Sequence, residues 1–366
     1  MANNKKKILI IVPGLGRGGM ETQLVAFLRN FNRNNFEITV ALFRSKISHV
    51  LPGDIRIVHL NKKFKIDILF IYRLFKLIIS KKWDKVNSKI SGVNEYLLMI
   101  YGFLRKENLI IEIRNSGERK KNLYMNLIFI AKLMNFKKFR VICNSQKAKM
   151  ELLELERFNT SVINNGINTK RFRPEIIRNE INDGIIHIGF VGRVVKGKNI
   201  ETLILAIDYF INNYSNKNLI LGIWGDTPDM NYLSSLNAII ESRKLEEFVK
   251  FYKSIDDIER VYNSLDILVL PSIYEGTPNV LLEAMSCETI CLISKGANSD
   301  NFLTKEFSFE TKNFKQLADM LYSFLLLNVD SKIKIGQENR NFVLNKYSLK
   351  SMVESYSSLY KNGNLV

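Results

Sequence analysis

The chain has 366 residues with a hydrophobic share of 46%, ample for a core and too long for one ordinary domain, so two domains are expected. Its formal net charge of +18 is uneven: residues 1–175 hold 34 basic and 13 acidic side chains, whereas the remainder hold 20 and 23. That contrast turns the first half toward something anionic, a membrane surface or a nucleic acid. Cys143, Cys287 and Cys291 have no metal-ligand spacing, and their odd number argues against a disulfide framework. A reducing cytoplasm fits, with all three read as small buried apolar residues. The basic start is followed by an apolar run that ends at Pro13, too short and strand-like for a signal peptide. No run approaches the roughly 18 apolar residues of a membrane span.

In chain order, Ile8–Val12 is a continuous apolar run bounded by proline and glycine, the mark of a buried parallel strand. Glu21–Asn30 reads as a helix, Phe36–Phe43 and Arg56–Leu60 as strands, and Lys63–Trp83 as a helix apolar on most sides. Val86–Ile90 and Leu109–Ile113 are short strands around a helix at Val93–Arg105. Tyr124–Met134 is another apolar helix, followed by a strand at Arg140–Asn144 and a helix from Gln146. The rhythm restarts after Thr160–Pro174 and a polar linker, Glu175–Gly184. Ile185–Val191 is a new first strand and Asn199–Asn212 its helix. Leu219–Trp224, Val249–Phe251, Ile267–Pro271 and Thr289–Ile293 are the strands that follow. This alternation predicts an α/β chain of two doubly wound domains facing each other across a cleft. Their spans are 1–174 and 175–346, with a C-terminal helix at 347–366. Ligands in such sheets sit at the carboxyl ends of the strands.

Gly14–Gly19 matches G-x-G-x-x-G, a weak signal by itself, because a dinucleotide site also wants an acid closing the second strand. That strand ends in Arg44-Ser45. An arginine there can take a 2′-phosphate, which keeps an NADP-dependent oxidoreductase open. No Tyr-x-x-x-Lys set stands in a fitting place, however, and His49, His59 and His187 read as ordinary strand or loop residues. The turn is better read as a close-approach loop of glycines.

The stretch "LPSIYEGTPNVLLEAMSCE", Leu270–Glu288, carries more. A strand ends at Pro271, a turn holds Glu275-Gly276-Thr277-Pro278-Asn279, and a helix starts near Asn279 or Val280. N–H groups at that helix start suit an anion. The carboxylates of Glu275 and Glu283, eight apart, suit ribose and sugar hydroxyls. Arg193 and Lys198 flank the loop after the second domain's first strand. Two fixed cations there would suit an anionic ligand.

With these marks in order, the chain resembles the retaining glycosyltransferases of GT-B fold, specifically glycosyltransferase family 4. Gly18-Gly19-Met20-Glu21 resembles that family's Gly-Gly-x-Glu turn, and "VICNSQKAK" (Val141–Lys149) the last unit of its first domain. "INNGINTKRFRP" (Ile163–Pro174) resembles its hinge, with Asn168 in place of the common aspartate, and "GFVGRVVKGKN" (Gly189–Asn199) its G-R-x-x-x-x-K-N segment. Glu275 and Glu283 match its E-x7-E, and "YSLKSMVESYSSLYK" (Tyr347–Lys361) its closing helix.

The resemblance implies that Glu283 holds the ribose, Glu275 the donor sugar, and Arg193 and Lys198 the diphosphate. Gly18, Gly19, Gly276, Thr277, Asn279 and Val280 would complete donor binding. It implies same-face attack with retention and no metal or cofactor; no D-x-D pair is present. Many relatives place a histidine after the strand Leu109–Ile113, where this chain has Arg114 and Asn115, the acceptor-side candidates. Glu288 stands where relatives often have glycine. The implied function is transfer of a hexose or N-acetylhexosamine from a nucleotide-sugar, UDP being the commonest. The acceptor would be a polyprenyl-diphosphate-linked saccharide, in O-antigen, capsule or related glycan assembly. The basic half, with Lys63–Trp83 and Lys120–Phe139 combining apolar faces and cations, fits an anionic membrane surface at the cytoplasmic face. A nucleic-acid partner is the weaker alternative, because no RNP-like aromatic pattern accompanies the charge.

Overall fold

The computed structural model describes residues 5–16, 19–44, 47, 50–64, 67–89, 97, 100, 108–113, 139–150, 160–175, 184–214 and 218–362. The chain divides into two compact units, one of Met1–Gly166 with Leu349–Val366 and one of Ile167–Ser348.

In the first unit, β1 (Lys6–Val12), β2 (Phe36–Leu42), β3 (Arg56–His59), β4 (Lys85–Ser88), β5 (Leu109–Ile113), β6 (Arg140–Cys143) and β7 (Thr160–Val162) form one sheet. It is parallel throughout, in the order β3-β2-β1-β4-β5-β6-β7. Ile8 to Val12 are buried on both faces, as an unbroken apolar run requires of a central strand. The helices are α1 (Gly19–Asn30), α2 (Ile68–Ile79) and α3 (Gln146–Met150).

Helix α2 is shorter than the expected Lys63–Trp83. Asp67 accepts from the N–H groups of Phe70 at 2.9 Å and Lys63 at 2.8 Å, fixing an N-cap that the surrounding apolar residues conceal in the sequence. At the other end the Trp83 indole N–H donates to the Leu77 carbonyl at 3.0 Å. The helix expected at Tyr124–Met134 lies outside the described residues, as does that at Val93–Arg105 apart from Leu97 and Ile100.

In the second unit, β8 (Ile186–Val191), β9 (Leu219–Trp224), β10 (Val249–Tyr252), β11 (Ile267–Leu270), β12 (Ile290–Ser294) and β13 (Ser308–Phe309) form a parallel sheet in the order β10-β9-β8-β11-β12-β13. Around it are α4 (Ile200–Asn213), α5 (Met230–Ser242), α6 (Ile258–Ser264), α7 (Asn279–Ser286), α8 (Phe314–Leu325) and α9 (Val329–Lys346). This is the dinucleotide-fold strand order, with its reversal between β8 and β11. The edge strands β7 and β13 were not foreseen; three and two residues long, they carry no readable periodicity.

The chain returns to the first unit as α10 (Leu349–Asn362). Its apolar face, Leu349, Met352, Tyr356, Leu359 and Tyr360, packs with Phe27 of α1 and with Phe31 just after it. A buried polar network ties it to the sheet. Lys89 and Glu112 form an ion pair, the Tyr356 hydroxyl donates to Glu112 at 2.9 Å, and the Asn87 amide donates to the Tyr360 hydroxyl at 2.8 Å. Removing one charge of such a buried pair costs about 3–5 kcal/mol.

Glu288, between α7 and β12, sits in the left-handed region at φ +63°. A glycine relieves that strain, which explains the residue common at this place in the family. Glu288→Gly is expected to raise stability by about 0.5 kcal/mol, because the Arg340 contact it removes is long, 4.0 Å. Chemical denaturation checks this; a lowered midpoint would contradict it.

Candidate active site

The second unit's topological reversal brings two loops together, one after β8 and one after β11. Strand β8 runs into Gly192 (φ +149°), whose N–H donates to the Trp224 carbonyl at 2.9 Å. A Cβ on the facing Gly225 (φ +156°) would stand 1.9 Å from the Gly192 carbonyl oxygen. Only paired glycines permit that approach. Beyond them Arg193 is exposed, its guanidinium unpaired among the described residues. Trp224 and Tyr252, closing β9 and β10, stack at 4.8 Å.

The loop then tightens into a 3-10 turn, Lys196–Lys198, and ends on the fully buried Asn199 in left-handed conformation (φ +55°). Asn199 donates its amide to the Pro271 carbonyl at 3.0 Å and accepts from the Thr202 hydroxyl at 3.0 Å. The Ile273 N–H donates to the Gly197 carbonyl at 3.0 Å. These bonds fasten the β8 loop to the β11 loop and set the Lys198 ammonium against the Glu275 carboxylate. The Ser272 hydroxyl, itself buried, donates to the same Glu275 oxygen at 2.7 Å. A cation, a carboxylate and a hydroxyl are thus held in position before any ligand arrives.

Helix α7 begins at the expected Asn279. Pro278 is its N-cap, with no side-chain acceptor for the first N–H groups. Gly276, Thr277, Asn279 and Val280 are all partly exposed along this entry. One turn in, Glu283 is half-buried. The wholly buried Tyr262 hydroxyl, from α6, donates to its Oε2 at 2.9 Å. Burial pushes the Glu283 carboxyl up to about 7, against the pull of the Tyr262 bond and the Arg171 charge. Arg171 itself donates from two guanidinium nitrogens, Nη2 and Nε, to Glu259 at 2.7 and 3.0 Å.

Four residues singled out from the sequence, Arg193, Lys198, Glu275 and Glu283, therefore lie on loops and a helix at the carboxyl end of one sheet. Lys198 and Glu275 touch; Glu283 is anchored separately. Gly19 opens α1 in the first unit and is exposed. Gly18, Arg114 and Asn115 lie outside the described residues. The sequence reading missed Asn199, Ser272, Tyr262 and Arg171, which position the others. Asn199 is the last letter of the quoted G-R-x-x-x-x-K-N segment, and Arg171 and Ser272 lie within quoted stretches without a role of their own.

The family model described as "Glycosyl transferases group 1" matches residues 172–342, a span that holds all four of those side chains. The second unit belongs to that family over this span. The chain is a retaining family 4 glycosyltransferase of GT-B fold. Among relatives, it is 25% identical over 322 residues to the UDP-Gal:alpha-D-GlcNAc-diphosphoundecaprenol alpha-1,3-galactosyltransferase of Escherichia coli, covering 80% of this chain and 79% of that one. It is 27% identical over 363 residues to the N-acetylgalactosamine-N,N'-diacetylbacillosaminyl-diphospho-undecaprenol 4-alpha-N-acetylgalactosaminyltransferase of Campylobacter jejuni, covering 92% and 93%. The fold matches that of Anabaena HepE in complex with UDP and glucose at a TM-score of 0.79 and 15% identity, over 98% of this chain and all of that one. Membership decides against the NADP reading of the opening glycine turn. A Cβ on Gly16 would meet no atom within 4 Å, so at that position packing does not demand glycine.

Proposed function

We propose that this glycosyltransferase moves a hexose or N-acetylhexosamine from a UDP-sugar to a saccharide carried on a polyprenyl diphosphate, within assembly of a surface glycan such as O-antigen or capsule. The observation that carries the donor half is the Lys198–Glu275–Ser272 cluster, with Arg193 on the same loop as Lys198 and Glu283 in the helix that follows Glu275. The acceptor half rests on the two relatives whose names specify diphosphoundecaprenol-linked substrates.

In this reading Lys198 and Glu275 neutralise each other until the donor enters. The diphosphate then replaces Glu275 as the partner of Lys198, joined by Arg193 and the N–H groups that open α7. Glu275 turns to accept from the sugar's hydroxyls, and Glu283 accepts from the ribose. The anomeric carbon–phosphate oxygen bond breaks as the acceptor oxygen bonds to the same face of that carbon. The acceptor's proton passes to the departing phosphate oxygen, and UDP leaves. Charge grows on the diphosphate along this path, so the two cations bind the transition state more tightly than the donor. For Gly18 and Gly19 as donor contacts, and Arg114 and Asn115 on the acceptor side, the support is the family resemblance. The site works peripherally at an anionic membrane; among the described residues no helix is long and apolar enough to cross one.

The test is a panel of nucleotide-sugars offered with a synthetic polyprenyl-diphosphate saccharide, the product's anomeric configuration being read by NMR. One UDP-sugar should transfer with retention. Transfer from none of them, or equal transfer to acceptors lacking the lipid diphosphate, would count against the proposal.

A further inference from the structure

We infer that the outer face of α2 docks the enzyme on an anionic phospholipid surface. Helix α2 is apolar on two sides. Phe70, Leu74 and Ile78 are buried in the first unit's core. On the other side Ile68 is 78% exposed, Leu69 63% and Tyr72 60%, with Ile79 also exposed at the far end and Phe64, 69% exposed, just before the helix. At 100° per residue, positions 68, 72 and 79 fall within a narrow arc, flanked by Leu69 and Lys76. One apolar stripe suffices to seat a helix on a sheet. The second joins no core cluster among the described residues, and a monomeric soluble protein seldom leaves such a patch in water.

The charge around the patch selects the partner. Residues 61–83 hold seven basic side chains and one acid, Asp67. That acid is buried, its oxygens engaged by the Lys63 and Phe70 N–H groups. Lys81 is paired with Glu37. Lys63, Lys76 and Lys82 are exposed and have no ion pair among the described residues. An apolar strip roughly 18 Å long, rimmed by cations and with no free acid in residues 61–83, fits acyl chains below a layer of anionic headgroups. A second copy of the chain would bring the same cations against these and be repelled.

The inference deepens the function proposed above, since it brings the enzyme to the surface where a lipid-linked acceptor resides, but its test does not depend on transfer. Full-length enzyme is sedimented with vesicles of phosphatidylcholine alone or with added phosphatidylglycerol. Partition should be at least about tenfold higher with phosphatidylglycerol. The Ile68→Ser/Leu69→Ser/Tyr72→Ser variant should lower it by about tenfold or more. Lys63→Gln/Lys76→Gln should lower it by about fivefold per charge. Because these side chains face water, melting temperature and turnover of a water-soluble acceptor should stay at wild-type values. Wild-type enzyme that ignores vesicles, equal partition to both compositions, or a triple-serine variant that binds like wild type would overturn the inference. So would a wild-type dimer dissolved by the triple substitution, which would give the face to a second copy. Membrane binding without transfer to any lipid-linked acceptor would remove the proposed function and leave this surface standing.

Discussion

Replacing Lys198 with alanine should lower kcat by about a thousandfold while the protein stays folded. The reason is preorganisation. Lys198 closes a 3-10 turn whose last link, Asn199, is buried and bonded to the β11 loop, so its ammonium needs no rearrangement to meet a leaving diphosphate. Removing one such group costs about 10²–10³ in kcat. The stability cost should be small, about 1 kcal/mol, because the Lys198–Glu275 pair is partly exposed and Ser272 still bonds the carboxylate. Lys198→Arg should recover part of the rate but not all, because a planar guanidinium presents its donors differently from an ammonium. Steady-state kinetics with the UDP-sugar checks this. Undiminished kcat in Lys198→Ala would remove the lysine from the chemistry.

The second large effect is a pH dependence at Glu283. Burial raises its carboxyl from 4.5 to about 7, so between those values the folded protein holds a proton that the unfolded chain has lost. The stabilisation from that proton is full below about 4.5 and is lost as pH rises through about 7. Relative to Glu283→Gln, which does not titrate, wild-type stability should fall by on the order of 3 kcal/mol between pH 4.5 and 8. Donor binding should move the opposite way. Ribose hydroxyls donate, so the ionised carboxylate is the better partner, and the donor KM should rise up to about tenfold as pH drops below 7. In Glu283→Gln the KM should be high throughout and lack that inflection. Denaturation curves and KM at several pH values read both trends. Parallel stability curves for wild type and variant would mean that Glu283 does not titrate near neutrality.

Much of the fold can be read from continuous apolar runs. Leu109–Ile113 and Leu219–Trp224 are strands at their expected limits, because a strand buried on both faces leaves little room for polar residues. The span Lys63–Trp83 exceeds the observed helix for a related reason: a helix with two apolar faces gives no polar stripe to mark its ends, and its N-cap, Asp67, is hidden among apolar residues. The site was legible in its charged residues and opaque in what holds them. Tyr262 and Glu283 are 21 residues apart and Lys198 and Glu275 are 77 apart, and such pairings follow from topology, which no local pattern encodes. Glu288 shows a departure from the family turn that the backbone absorbs through a left-handed residue. Cys143 and Cys287 fit their expected role as buried apolar residues, and burial pushes both thiols up to about 12.

The most direct test is a calorimetric titration of UDP into the wild-type enzyme and into Arg193→Ala, Lys198→Ala and Glu283→Gln, at a pH above 7. A nucleotide seated at the ends of β8 and β11 should bind the wild type and lose at least about tenfold in affinity with each substitution. UDP binding unchanged in Lys198→Ala and Glu283→Gln would place the nucleotide elsewhere.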